Sequence, residues 1–187
     1  VLGTGRRYLS GAGTQTAGLG IGGYNPPSPS GLANTEEYDG SSWTAGGALS
    51  PTTYAGAGAG TQTAALKMGG AGADSPGPTA GVDTQEYNGA SWTAGGDMIS
   101  ANLSNQGAGT QTDALTFGGN TTGTQTLGYD GTAWSTRPSL ATGRTYFAGF
   151  GATGSGAIAA ANQPAATTVE EYTGETSAAN YKTITTS

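Results

Sequence analysis

The chain has 187 residues, of which 36 are glycine and only 10% are charged, with a net charge of −6. Its six basic residues form no stripe that would neutralise phosphates, which argues against a nucleic-acid partner. The absence of histidine and cysteine removes disulfides, thiolate nucleophiles, soft metal sites and the usual general base near neutral pH. No apolar run is long enough to span a bilayer.

The first predicted unit runs over roughly residues 5–50. Tyr8 to Gly13 reads as an extended segment of small residues, and Thr14-Gln15-Thr16 as a turn. Gly18 to Ile21 makes a second strand that ends in Gly22-Gly23. The following loop, Tyr24 to Asn34, contains Pro26, Pro27 and Pro29, which exclude a central strand. Thr35-Glu36-Glu37-Tyr38 is the third strand, Asp39-Gly40 a turn, and the segment around Trp43 the fourth strand.

The same order returns over 51–100. Thr53 to Ala59 is extended, Gly60 to Thr63 turns, and Ala64 to Met68 leads to Gly69-Gly70. A loop from Ala71 to Gly81 precedes the strand Val82 to Tyr87, the Asn88-Gly89 turn and a strand at Trp92. A third copy, 101–140, has Thr110-Gln111-Thr112, Ala114 to Phe117, Gly118-Gly119, Tyr129-Asp130-Gly131 and Trp134. The fourth, 141–187, is eroded. Ala157 to Asn162 stands where the double glycine is expected, Val169 to Gly174 keeps the third strand and turn, and Tyr181 takes the tryptophan position.

A period of about 45 residues with several short strands per unit is the signature of stacked blades or coils. Disorder is the compositional rival, but aromatics that return in step with turn residues argue for packing. No window carries apolar residues at helical spacing. The prediction is an all-β chain forming one repeat domain over 1–187, a β-propeller of four four-stranded blades. Small first strands would line the axis, and Tyr38, Tyr87, Tyr129 and Tyr172 with Trp43, Trp92 and Trp134 would fill the gaps between blades. A β-rich fibre or β-solenoid is the alternative architecture.

Two resemblances sharpen this. The double glycines, the acidic-tyrosine pairs Glu37-Tyr38, Glu86-Tyr87 and Glu171-Tyr172, and the tryptophans resemble the kelch repeat. The third unit departs from it, with Gly128 before Tyr129, and the fourth lacks both double glycine and tryptophan. The wording Gly-Ala-Gly-Thr-Gln-Thr-Ala-Ala-Leu and Tyr-Asn-Gly-Ala-Ser-Trp-Thr is similar to repeat proteins of tailed-phage fibres and appendages. That resemblance implies a virion or extracellular location, neighbouring virion or filament subunits as partners, homo-oligomers and a host-attachment role. The copper chemistry of some kelch-like oxidases does not carry over, because its histidine and cysteine ligands are missing.

No catalytic residue, metal site or cofactor is expected. The recurring Glu36-Glu37, Glu86 and Glu170-Glu171 read as structural acceptors for a neighbouring blade. A polysaccharide-degrading enzyme with paired carboxylates is the enzymatic alternative. The Asp-Gly and Asn-Gly pairs read as turn chemistry rather than calcium sites, and the Thr-Gln-Thr motifs as turns rather than ice-binding ranks. Saccharide binding on the variable loops is the non-structural expectation, with Tyr24, Asn25, Asn34, Asp74 and Ser75 as candidates. A purely structural filament or decoration subunit, associating through strand edges, is the other alternative.

Overall fold

The computed structural model describes residues 1–27, 31–72, 80–119, 123–162, 167–174 and, for the backbone, 181–184. Every regular element among them is a strand, and the strands form four small antiparallel sheets arranged as a four-bladed β-propeller. Blade 1 joins β1 (Ser10–Thr14), β2 (Ala17–Ile21), β3 (Thr35–Tyr38) and β4 (Trp43–Ala45) in that order. A short pair, β5 (Thr53–Tyr54) and β8 (Ala71–Gly72), brackets blade 2, whose order is β6 (Ala57–Gly60), β7 (Ala65–Met68), β9 (Thr84–Tyr87) and β10 (Trp92–Ala94). Blade 3 is β11 (Gln106–Gly109), β12 (Ala114–Phe117), β13 (Thr126–Tyr129) and β14 (Trp134–Arg137). Blade 4 is β15 (Ala148–Thr153), β16 (Gly156–Ala160), β17 (Val169–Tyr172) and β18 (Tyr181–Ile184).

The aromatic register follows the repeat. Tyr38 faces Trp43, Tyr87 faces Trp92, Tyr129 faces Trp134, and Tyr172 faces Tyr181 across the two outer strands. The backbone of Tyr181 therefore occupies the missing tryptophan's position. Ring centroids within the first three pairs lie 5.1, 4.8 and 4.9 Å apart.

Neighbouring blades are bolted together by the same side chains. The Tyr87 hydroxyl donates to Glu37 Oε1 at 2.5 Å and accepts from the Gly47 N–H, while Trp92 Nε1 donates to Thr35 Oγ1 at 2.8 Å. One blade further on, Tyr129 donates to Glu86 at 2.6 Å and Trp134 Nε1 to Thr84 at 2.9 Å. Glu37 and Glu86, the acidic residues before Tyr38 and Tyr87, are thus the acceptors for the next blade's tyrosine. Burial and the nearby carboxylate both disfavour the phenolate, so the Tyr87 hydroxyl titrates higher than usual and that of Tyr129 is pushed up to about 12.

The Thr-Gln-Thr motifs also join blades. Gln62 Nε2 donates to the carbonyls of Gly18 and Tyr38, and Gln111 Nε2 to those of Ala65 and Tyr87. In blade 4 the glutamine is absent, and the Gly154 N–H donates to Asp113 Oδ2 instead.

The double glycines Gly22-Gly23, Gly69-Gly70 and Gly118-Gly119 each lie between the second and third strands of their blade and touch the next unit. The second glycine donates its N–H to the next unit: Gly23 to Thr53, Gly70 to Asn102 and Gly119 to Arg144. A Cβ on Gly22 would lie 2.5 Å from the Thr53 carbonyl, and one on Gly69 2.6 Å from that of Asn102, so a side chain has no room. In the eroded fourth copy Ala161 adopts the left-handed conformation itself, at φ 64°. Asn162 follows it and holds the Thr145 N–H and Gly143 carbonyl with its amide.

Three sequence expectations are corrected. The first extended segment of unit 2 is broken at Ala55, whose φ of 54° splits it into β5 and β6. Tyr8 lies outside β1 for the same reason, with φ 55°. The Asp-Gly and Asn-Gly turns are four-residue loops with positive φ at the glycine alone. In them Asp39 Oδ1 accepts from the N–H groups of Ser41 and Ser42, Asn88 Oδ1 from those of Ala90 and Ser91, and Asp130 Oδ1 from those of Thr132 and Ala133. These donors favour the charged carboxylates, so Asp39 and Asp130 both titrate below the usual range.

Candidate functional site: the axial channel and its aromatic mouth

The inner strands are almost bare backbone, because neighbouring blades converge there. A Cβ on Gly58 would meet the Gly11 carbonyl at 2.4 Å, and one on Gly107 the Gly58 carbonyl at 2.6 Å. β1 lies beside β6, β6 beside β11, and β11 beside β15. Segments of all four line a channel of about 340 Å³, walled mainly by glycine and alanine.

One end of the channel is ringed by four residues at equivalent places in the four repeats. Tyr8, Ala55, Ser104 and Tyr146 all have positive φ, at 55°, 54°, 57° and 49°. Such a conformation costs of order 1–2 kcal/mol for each non-glycine residue. Hydrogen bonds between blades hold part of the ring: the Ala55 N–H donates to the Tyr8 carbonyl, and the Ser104 N–H to the Ala55 carbonyl.

Two of the four positions carry aromatics that face solvent. Tyr8 is 50% exposed and Tyr146 61%, with Leu9 and Phe150 also exposed beside the channel. Tyr8, Tyr146, Ala55, Asn105 and Gln106 enclose a depression of about 140 Å³. Asn105 is buried and donates Nδ2 to Thr116 Oγ1 at 2.6 Å, while its Oδ1 has no partner. A buried acceptor without a donor is costly.

Next to this mouth the Arg7 guanidinium sits 5.3 Å from the ring centroids of both Tyr8 and Tyr24. Tyr24 in turn packs on Tyr54, with centroids 5.5 Å apart. Of the loop candidates, Tyr24 is therefore near Tyr8 through their shared Arg7 contact, but it lines neither the channel nor the depression. Asn25 is half-buried without a described side-chain bond, and exposed Asn34 donates to Thr4 Oγ1 at 3.4 Å. Asp74 and Ser75 lie outside the described residues. The sequence reading missed Tyr8, Tyr146 and Asn105. The repeated Gly-Arg-x-Tyr of 5–8 and 143–146 was the available signal, since its tyrosines are out of phase with the packing set.

The carboxylates are distributed between blades rather than gathered in one cleft. Glu37 and Glu86 each accept a tyrosine hydroxyl. Glu36 pairs with Arg6 and accepts the Gly3 N–H, and Glu170 pairs with Arg144 at 3.0 Å. Burial works to raise the Glu36 carboxyl, but the Gly3 N–H and Arg6 outweigh it and hold it below the usual range. Among the described residues no group of three or more acidic side chains is placed to hold a metal ion.

A scan against models of known protein families finds no match, and a search of curated proteins finds none either.

Proposed function

We propose that the chain is a non-enzymatic attachment module, a rigid and sparsely charged platform that presents a saccharide-binding mouth at one end of its axis. The observation that carries this reading is the pairing of solvent-facing Tyr8 and Tyr146 in one depression that Asn105 and Gln106 also line. Aromatic faces stack on the apolar faces of sugar rings, and the half-buried amide of Gln106 beside them can bond a hydroxyl. Left-handed backbone at both tyrosines fixes their direction before a ligand arrives, which lowers the ordering cost of binding.

The repeat wording similar to phage fibre and appendage proteins supports a place on a virion or another extracellular assembly. There, several weak sites on adjacent subunits would bind a surface glycan by avidity. The engagement of Glu37 and Glu86 by tyrosines supports a structural rather than a hydrolytic role for these residues.

A panel of immobilised bacterial and algal oligosaccharides tests the reading. The wild-type chain should bind at least one class, and Tyr146→Ala and Tyr8→Ala should each weaken that binding roughly tenfold or more, as expected for loss of a stacking contact. Both variants should keep the wild-type unfolding midpoint. Binding unchanged in both variants, or glycan release that disappears in Glu86→Gln, would overturn the assignment.

A further inference from the structure

The junctions between blades have a donor half and an acceptor half. At the junctions from blade 1 to 2 and from 2 to 3, the later blade supplies a tyrosine hydroxyl, a tryptophan N–H and a glutamine amide. The earlier blade supplies a glutamate, a threonine and two strand carbonyls. Between blades 1 and 4 no such bond is found among the described residues, and inner strands β1 and β15 do not pack alongside one another as the other neighbours do.

The donor half on blade 1 is complete. Tyr38, Trp43 and Gln15 occupy the positions of Tyr87, Trp92 and Gln62, and no described hydrogen bond engages the Tyr38 hydroxyl, the Trp43 indole or the Gln15 amide. Tyr38 is only half-buried, whereas Tyr87 and Tyr129, whose hydroxyls are engaged, are buried.

The matching acceptor half lies on blade 4. Glu171 stands before Tyr172 as Glu37 does before Tyr38, and among the described residues it has no partner. It lines a groove of about 200 Å³ with Phe150, Ala157 and Ile158, and Phe150 is 57% exposed. By strand register, Ala157 is the counterpart of Gly18 and Ala65, whose carbonyls the glutamines clip. Val169 replaces the threonine, so one of the three recurring bonds has no equivalent.

We infer that these two faces are halves of one interface and that the groove on blade 4 receives blade 1 of a second copy of this chain. Tyr38 of one copy would donate to Glu171 of the other, and Gln15 would reach the Ala157 carbonyl. The two faces differ, so the contact is head-to-tail. It closes into a ring if the rotation allows and otherwise propagates as a filament. This association uses none of the residues at the proposed saccharide mouth apart from the neighbouring Phe150, so either reading can fail without the other.

Sedimentation velocity over a dilution series tests it with two single-face variants, Tyr38→Arg and Glu171→Arg. Wild type should associate with increasing concentration, whereas each variant alone should stay monomeric. A mixture of the two variants should form a 1:1 complex that grows no further, because one intact pair of faces remains. Tyr38→Phe should weaken wild-type association roughly tenfold by deleting one charge-assisted hydrogen bond. A wild type that stays monomeric at every concentration would show that the faces do not meet or that they close within one chain, and would overturn the inference. Association unaffected by both charge variants, or a mixture of them that stays monomeric, would overturn it as well.

Discussion

Blades 1 and 4 open with the same signal, Thr4-Gly5-Arg6-Arg7-Tyr8 and Thr142-Gly143-Arg144-Thr145-Tyr146, yet the two buried arginines end in different states. Arg144 is enclosed by partners. It donates from Nε and Nη2 to Glu170, from Nη1 to the carbonyls of Ala161 and Thr168, and from Nη2 to Thr168 Oγ1. Glu170 also accepts the N–H groups of Ala141 and Thr142. Arg6 reaches Glu36 through Nη1, while its Nε and Nη2 are buried without a partner. The better-satisfied arginine belongs to the repeat whose sequence is most eroded. Ala161 and Asn162, which replace the double glycine, close the loop in which Arg144 is held, so the departure from pattern comes with a local network of its own.

Removing each cation should expose this difference. Arg144→Leu leaves Glu170 buried and uncompensated, and should cost about 3–5 kcal/mol in chemical denaturation. Arg6→Leu removes two unsatisfied donors together with the charge, so its cost should be about half as large or less. Equal losses would mean that the extra bonds of Arg144 contribute nothing.

Lys67 extends the series to a buried cation with one distant carboxylate. Burial pulls its ammonium down to about 8, and Asp83 only partly opposes that. A lysine in the unfolded chain titrates near 10.4, so between these values the unfolded state holds a proton that the folded state has lost. Stability should therefore rise with pH across that window, by about 2–3 kcal/mol, and Lys67→Met should flatten the rise while stabilising the protein below pH 8. Tyr129 works in the opposite sense at higher pH. Its stabilisation is complete below about 10 and is lost as pH climbs through about 12, which leaves the lysine window clear.

Tyrosine junctions give a smaller contrast. Tyr87→Phe strips Glu37 of its donor and should cost about 1–2 kcal/mol, whereas Tyr38→Phe should leave the isolated chain within about 0.5 kcal/mol of wild type. Ala161→Gly relieves a left-handed alanine and should stabilise by about 1 kcal/mol. Thermal melts of the pair would resolve both signs.

Much of this fold is legible in the sequence because each blade repeats the same packing residues at nearly the same spacing. Tyr-Trp pairs across the outer strands, glutamates before tyrosines and small inner strands all follow from the periodicity and the crowding at an axis. The break at Ala55 was hidden, since nothing local distinguishes an alanine forced into left-handed backbone by a neighbouring blade's carbonyl. The role of Gln62 and Gln111 was hidden for a related reason: a glutamine in a turn reads as solvated until the adjacent blade supplies its acceptors. The loop candidates rested on variability alone, and only Tyr24 came near Tyr8, through Arg7. Tyr8 and Tyr146 escaped notice because packing explains most tyrosines here and exposure is a tertiary property.

The channel wall is made mainly of peptide groups and methyls, with Leu9, Ser10, Gln106 and Phe150 the larger side chains on it. A wall lined this way carries no charge to titrate, so its electrostatics do not change with pH. Its bore is set by how closely backbones approach, and a side chain at Gly58, Gly107 or Gly151 would press on a neighbouring backbone and disturb that spacing.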